Sequence, residues 1–222
     1  MLFAAGLGTR MAPLTDTRPK PLVDVAGRPL LDHALELVTE ARVARVVANS
    51  HYLSGILSPV LQARGIEISH ESSLLDTGGG LKRALPLLPG AAVMTLNTDA
   101  VWTGTGIIDS LRAAWRPERM DALLMLVPVA AAVGHVGAGD FDLDSEGRLS
   151  RGTQAVYSGL QIVKAARVEG VRDEVFSLNE VWDSIAGDGR LYGVLHAGGW
   201  CDVGRPASIP LAEVMLRETD DV

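Results

Sequence analysis

The sequence predicts an α/β domain with a mostly parallel sheet flanked by helices and a small antiparallel region in its second half. Short apolar runs alternate with amphipathic runs through the first 130 residues. The apolar runs are continuous, as in strands covered on both faces. After residue 130 the rhythm changes to closely spaced strand-like runs with a hairpin turn.

Leu2–Ala5 reads as the first strand and Gly6–Leu22 as a long loop rich in Gly, Pro and Thr. Gly27 and Pro29 then open a helix to Ala41, with Leu30, Leu31, Ala34, Leu35, Leu37 and Val38 on one stripe. Val43–Ala48 is the second strand. Leu53–Arg64 is a helix interrupted early by Pro59. Ile66–His70 is the third strand, Thr77–Leu88 a helix with a glycine-rich start, and Ala91–Leu96 the fourth strand. A helix at Gly106–Trp115 and a strand at Ala122–Val129 complete the rhythm.

In the second half, Asp140–Asp144 and Arg148–Ser150 flank a Ser145-Glu146-Gly147 turn. Val156–Val163 and Leu191–His196 are strands. Ser177–Ile185 is a helix with capping-box spacing from Ser177 to Glu180, and Pro206–Arg217 is a closing helix. No linker splits residues 1–222, so one domain is expected.

Composition narrows the function. The 222 residues carry 20 Lys and Arg against 27 Asp and Glu, a net charge of −7. That balance gives no footprint for nucleic acid or an anionic membrane. Cys201, the single cysteine, excludes an intrachain disulfide framework. Beside Asp202 it reads as a small buried filler. No apolar run reaches membrane-spanning length and Met1–Ala5 lacks a basic leader, so a cytoplasmic location is expected.

The loop after the first strand carries the clearest chemistry. In Ala4-Ala5-Gly6-Leu7-Gly8-Thr9-Arg10-Met11 the glycines let the backbone approach a ligand, and free N–H groups there can hold phosphate oxygens. Arg10 adds a planar phosphate clamp. A dinucleotide fingerprint needs a glycine where Met11 stands, and a P-loop needs Gly-Lys-Ser/Thr. Gly6 and Gly8 alone would mark only a tight turn. Lys20, one of three lysines among seventeen arginines, lies between Pro19 and Pro21, which hold its backbone extended. A rigid stem with a point charge suits a phosphate.

Residues 4–22, Ala-Ala-Gly-Leu-Gly-Thr-Arg-Met-Ala-Pro-Leu-Thr, four residues, then Pro-Lys-Pro-Leu, resemble the signature of the sugar-1-phosphate nucleotidyltransferases. These GT-A-like α/β enzymes join a nucleoside triphosphate to a sugar phosphate. The short chain and later motifs are most similar to the N-acetylmuramate-1-phosphate uridylyltransferases, with mannose-1-phosphate guanylyltransferases as near neighbours. The resemblance implies a Rossmann-like sheet, UTP and N-acetylmuramate 1-phosphate as substrates, Mg2+ or Mn2+ as the cofactor, and a single domain whose residues 1–130 are mainly nucleotide-binding and 131–222 mainly sugar-phosphate-binding with the closing helix. It also implies Asp99 and Asp202, each following a strand, as the metal ligands, with Arg10 and Lys20 as the other catalytic groups. Taken singly, either aspartate reads equally well as a cap or turn residue.

The nucleotide site implied comprises Ala4, Ala5, Gly6, Gly8, Thr9, Arg10, Lys20, Asn49, Glu71, Gly78 and Gly79. Glu71 would read the base edge, and the two glycines before the helix would pack on the nucleoside, with helix N–H groups as donors. Ordinary capping by Asp76 or Thr77 is the plainer alternative. Sugar-site candidates are Gly139, Ser158, Gly159, Asn179 and Glu180; Gly139 and Gly159 equally suit a bulge or turn. Trp102 reads as packing more readily than as a sugar platform. Longer relatives carry a Glu-Lys-Pro lysine before the Ser158 strand; here Arg148 and Arg151 are the nearest substitutes. No general base is required, because a phosphate monoester is already nucleophilic near neutral pH. The expected partners are an NTP and a sugar 1-phosphate, for a monomer or small homo-oligomer. The competing readings are another nucleotide and sugar-phosphate pair, and a non-catalytic nucleotide-sugar-binding subunit.

Overall fold

The computed structural model describes residues 1–220. In chain order its elements are β1 (Leu2–Phe3), β2 (Asp24–Val25), β3 (Arg28–Pro29), α1 (Leu30–Glu40), β4 (Val47–Ser50), α2 (Ser54–Ala63), β5 (Glu67–His70), α3 (Asp76–Ala84), β6 (Ala92–Asn97) and β7 (Ala100–Trp102). Then come α4 (Ile107–Ala114), β8 (Ala122–Pro128), β9 (Ala132–Val133), β10 (Phe141–Leu143), β11 (Leu149–Arg151), β12 (Ala155–Lys164), α5 (Ala165–Glu169), α6 (Leu178–Gly187), β13 (Leu191–Leu195), β14 (Trp200–Asp202) and α7 (Ser208–Asp220).

The main sheet runs β5-β4-β1-β6-β12-β8-β13. Neighbours from β5 to β6 are parallel, and so are β8 and β13. Between them β12 runs antiparallel to both β6 and β8. Its first residue, Ala155, also pairs with Phe141 of the β10–β11 hairpin. The expected α/β class is therefore found, with one antiparallel strand at its centre.

Alternate residues of each strand go to opposite faces. Ala48, Leu96, Leu123 and Leu160 pack with Leu31, Ala34, Leu57, Leu61, Ile108 and Leu111 of α1, α2 and α4. Val47, Val93, Leu124 and Val163 pack with Leu81, Val168, Val181, Trp182 and Ile185 of α3, α5 and α6. Each fully buried Leu, Ile or Val contributes roughly 1.5–3 kcal/mol, which makes these two layers the main source of stability. A third cluster joins Met11, Val23, Val25 and Leu30 to Val101, Cys201, Val203 and Ala212. It anchors the Gly6–Leu22 loop to a small sheet, β7-β14-β9.

Several boundaries depart from the sequence reading. The second strand starts at Val47, because Arg42 takes φ 49° and the Val43 N–H donates to Val38 O, wrapping the end of α1. Helix α2 continues through Pro59. Helix α3 ends at Ala84, and Leu85–Leu87 tighten into a 3-10 turn around Pro86. Ser177 caps α6 by accepting from the Asn179 N–H. Strands of two or three residues, including all of β7-β14-β9, are too short for a period-2 signal. Among the described residues no helix is long and apolar enough to cross a membrane.

Candidate active site

Strands β1, β4 and β6 lie side by side and parallel, so the chain leaves all three at the same edge of the sheet. There Ala4–Gly6, Asn49 and Asn97–Asp99 line a cavity of about 530 Å³. Lys20, Glu71, Leu74, Asp76, Thr77 and Val175 complete much of the wall. This is where an open α/β sheet places a ligand.

The loop after β1 is held by its own chemistry. Gly8 has φ 65°, and a Cβ there would stand 3.0 Å from Thr15 Cγ2 and 3.2 Å from Lys20 Cβ. Thr15 Oγ1 donates to Gly8 O at 2.8 Å, and Tyr52 Oη donates to Thr15 O at 3.0 Å. Met11 is fully buried and pins the middle of the loop, while Thr9 and Arg10 stay exposed. The Leu22 N–H donates to Pro19 O at 2.9 Å, closing a turn around Lys20. Lys20 Nζ then reaches Asp99 Oδ2 at 2.7 Å.

The second acid arrives through the small sheet. β14 runs antiparallel to β7 with Asp202 opposite Ala100, and the Val203 N–H donates to Asp99 O at 2.9 Å. Asp99 and Asp202 thus flank one strand pair. Burial raises the Asp202 carboxyl above the usual carboxylate range, and the Asp99 charge raises it further; Lys20, Arg10 and His135 oppose the rise. A Cβ at Gly204 would come within 3.0 Å of both Asp202 carboxylate oxygens, so the glycine keeps their surroundings open. Asp99 and Asp202 offer carboxylate oxygens, the hard donor type that magnesium takes, and are the candidates to hold a divalent ion.

Cys201 is fully buried, and burial, then the Asp202 charge, pushes its thiol up to about 12. It is inert at neutral pH. Trp102 is a packing residue, edge-on to His196 and Trp200 at 5.1 and 6.4 Å between ring centroids.

Other expected site residues are placed differently. Asn49 and Glu71 reach the cavity wall but brace it. The Ala4 N–H donates to Asn49 Oδ1 at 2.7 Å, Asn49 Nδ2 to Glu71 Oε1 at 2.8 Å, and the Leu75 N–H to Glu71 Oε2 at 3.1 Å. Both carboxylate oxygens of Glu71 are thus engaged within the chain. Gly78 and Gly79 turn away from the cavity. A Cβ at Gly78 would lie 2.3 Å from the Phe176 ring, and one at Gly79 would lie 2.1 Å from Glu174 O. Their N–H groups donate to Phe176 O at 2.9 and 3.1 Å, so the start of α3 spends those donors on its own chain. The glycines admit the 174–176 segment, which sets Val175 against the cavity.

The sugar-site candidates do not line this cavity. Gly139 packs against the backbone of Thr153 and Ala155. Ser158 Oγ donates to Met125 O at 2.6 Å. Gly159, at φ 95° in an irregular stretch of β12, lies behind Asn97. Asn179 accepts from Arg151 at 2.9 Å, and Glu180 is exposed on the first turn of α6. Arg151 pairs with Asp183 and stacks on Phe141, while Arg148 pairs with Glu146, and neither lines this cavity. Leu74, Asn97, Thr98 and Val175 were not singled out from sequence. Thr98 and Asn97 adjoin Asp99 and were legible; Val175 comes from a distant segment without a local signal.

Residues 1–136 match the model of the MobA-like NTP transferase domain. The chain is 41% identical to the N-acetylmuramate alpha-1-phosphate uridylyltransferase of Caulobacter vibrioides, over 98% of this chain and 96% of that one. It is 33% identical to the Neisseria meningitidis protein of the same name, over 97% and 96%. Its fold superposes on a UDP-glucose pyrophosphorylase complexed with UDP-glucose with a TM-score of 0.80 at 15% identity, covering 98% and 97% of the two chains. A family model spanning more than half the chain and two relatives matched almost end to end agree: the chain belongs to the MobA-like NTP transferase family and is a nucleotidyltransferase.

Proposed function

We propose that this chain transfers a uridylyl group from UTP to N-acetylmuramate 1-phosphate, releasing pyrophosphate and forming a UDP-sugar, with Mg2+ or Mn2+ bound by Asp99 and Asp202. The observation that carries the reading is that Lys20 meets Asp99 on the wall of a cavity beyond β1 and β6, with Asp202 brought beside Asp99 by the pairing of β14 with β7. The choice of substrates rests on the two relatives matched over nearly their full length.

An oxygen of the acceptor phosphate attacks the α-phosphorus, and the bond from that phosphorus to the oxygen bridging the β-phosphate breaks. Both reactants are anions, so the protein's task is neutralisation and alignment. The Gly6–Gly8 backbone and Arg10 receive the triphosphate, and Lys20 faces the transferring group. The divalent ion supplies charge compensation at the α-phosphate when bound. Leu74 and Val175 give the nucleoside an apolar wall, and the Asn49–Glu71 brace keeps that wall in place. Residues 1–130 carry most of the nucleotide site and 131–222 the acceptor side of one domain. The reaction suits the cytoplasm, where nucleoside triphosphates are made, and its product suits recycling of cell-wall sugar.

The test is a matrix of UTP, GTP, CTP and ATP against N-acetylmuramate, N-acetylglucosamine, glucose and mannose 1-phosphates, read by pyrophosphate release. UTP with N-acetylmuramate 1-phosphate should give the highest kcat/KM. A maximum at GTP with mannose 1-phosphate would replace the substrate assignment, and no turnover with any pair would favour a non-catalytic binding subunit.

A further inference from the structure

We propose that Lys20 is the resident counter-ion of Asp99, which keeps free divalent ions out of the carboxylate pair and admits them only together with the phosphates of a nucleotide. The inference rests on the metal-dependent reading above.

The ammonium of Lys20 stands 2.7 Å from Asp99 Oδ2, with only 13% and 32% of the two side chains exposed. Both residues line the cavity wall. The pair is not a chance meeting of two flexible surface side chains. Pro19 and Pro21 restrict the backbone on either side of Lys20, the Val23 N–H donates to Lys20 O at 3.0 Å, and the side-chain stem lies against Gly8. Much of the ordering entropy that weakens exposed ion pairs is therefore already lost in building the loop.

Charge balance gives the pair its consequence. Asp99 and Asp202 bring two negative charges, and Lys20 and Arg10 return two positive ones to the same neighbourhood. A free dication approaching these acids meets a neutral site. It must also take a ligand oxygen at about 2.1 Å from an acid that already holds an ammonium. A triphosphate changes both conditions at once. Its oxygens give Lys20 and Arg10 a new anionic partner, which frees Asp99, and its charge makes the site strongly attractive to a dication. The lysine leaves the acid as the nucleotide enters.

The experiment measures Mn2+ binding by electron paramagnetic resonance on wild-type protein, Lys20→Met, Lys20→Gln and Lys20→Arg, with and without UTP and in the absence of any acceptor. Thermal melts confirm folding of each variant. Lys20→Met and Lys20→Gln should bind free Mn2+ at least tenfold more tightly than the wild type. Lys20→Arg, which keeps the charge, should stay as weak as the wild type. UTP should bring Mn2+ onto the wild-type protein, seen as a protein-bound signal that Asp99→Asn loses. Equal affinity for free Mn2+ in the wild type and the two neutral variants would overturn the counter-ion role while leaving the metal assignment intact. A wild-type protein with UTP that gives no protein-bound Mn2+ signal would instead overturn the metal reading itself.

Discussion

The backbone N–H of Val203 donates to the carbonyl oxygen of Asp99 at 2.9 Å, closing the pairing of β14 with β7. That bond fixes where Asp202 stands, one residue earlier on the same strand. The buried side chains of Val101, Cys201 and Val203 hold the pairing from beneath. The place of Asp202 is therefore set by a sheet and a small core, and Asp99 by the two-residue connection between β6 and β7, which leaves neither acid on a long loop.

Asp99→Asn and Asp202→Asn should each lower turnover by at least two orders of magnitude, or about 2.7 kcal/mol in the barrier. Both should retain the wild-type far-ultraviolet circular dichroism. Unchanged turnover in both variants would end the metal assignment.

Asp202→Asn should also stabilise the fold at neutral pH. Burial first, and the Asp99 charge second, raise the Asp202 carboxyl in the folded state. The folded chain then binds that proton more readily than the unfolded one. The group's contribution is fully favourable below the unfolded value of about 3.9 and is lost as pH rises through the raised folded value. Removing the charge should lift Tm at pH 7. The gain should shrink toward pH 4. Melts of both proteins across pH 4–8 read it, and a pH-independent difference would count against the argument.

Gly79→Ala puts a methyl group 2.1 Å from Glu174 O, so the 174–176 segment must move off α3. A cost of about 1–3 kcal/mol is expected for such overpacking. Because Val175 moves with the segment, KM for the nucleotide should rise as well. Denaturant melts and steady-state kinetics measure the two effects, and lost stability with an unchanged KM would detach Val175 from the nucleotide.

Glu71→Gln faces an amide toward one of two donors, Asn49 Nδ2 or the Leu75 N–H. The loss should be about 1–3 kcal/mol of stability, with the ratio of kcat/KM between UTP and CTP unchanged. A shifted ratio would return Glu71 to the role of base reader.

Asp121 tests the scaffold away from the site. Burial raises its carboxyl, but Lys164, Arg190 and Arg167 overcome that and hold it well below the usual range. Its stabilising contribution is present above the unfolded carboxylate value and is lost as pH falls through the depressed folded one. Asp121→Ala should cost roughly 2–3 kcal/mol at pH 7, less than a fully buried pair because the three cations keep about a third of their side chains in solvent. Denaturant melts should show it with little change in kcat.

The α/β class and most long elements were legible because each carries its own periodicity and end signals. The opening loop was legible for a related reason: glycine, proline and positive charge are concentrated within a short stretch after the first strand. Gly78 and Gly79 carry a weaker signal because a glycine permits close approach without saying what approaches. The structure shows Phe176 and Glu174 O against them. Ser158 and Asn179 are polar residues whose partners, Met125 O and Arg151, lie far along the chain.

Composition and local pattern were thus enough to specify a helix-covered sheet with a glycine- and proline-rich opening loop at the end of its first strand. Folding alone decided that Lys20 meets Asp99, that Asp202 joins them, and that Val175 rather than the α3 glycines faces the cavity. The reason is that turns and helix starts depend on neighbours within a few residues. Which distant groups share a cavity depends on strand register, and register is settled only when the whole sheet buries its two faces at once.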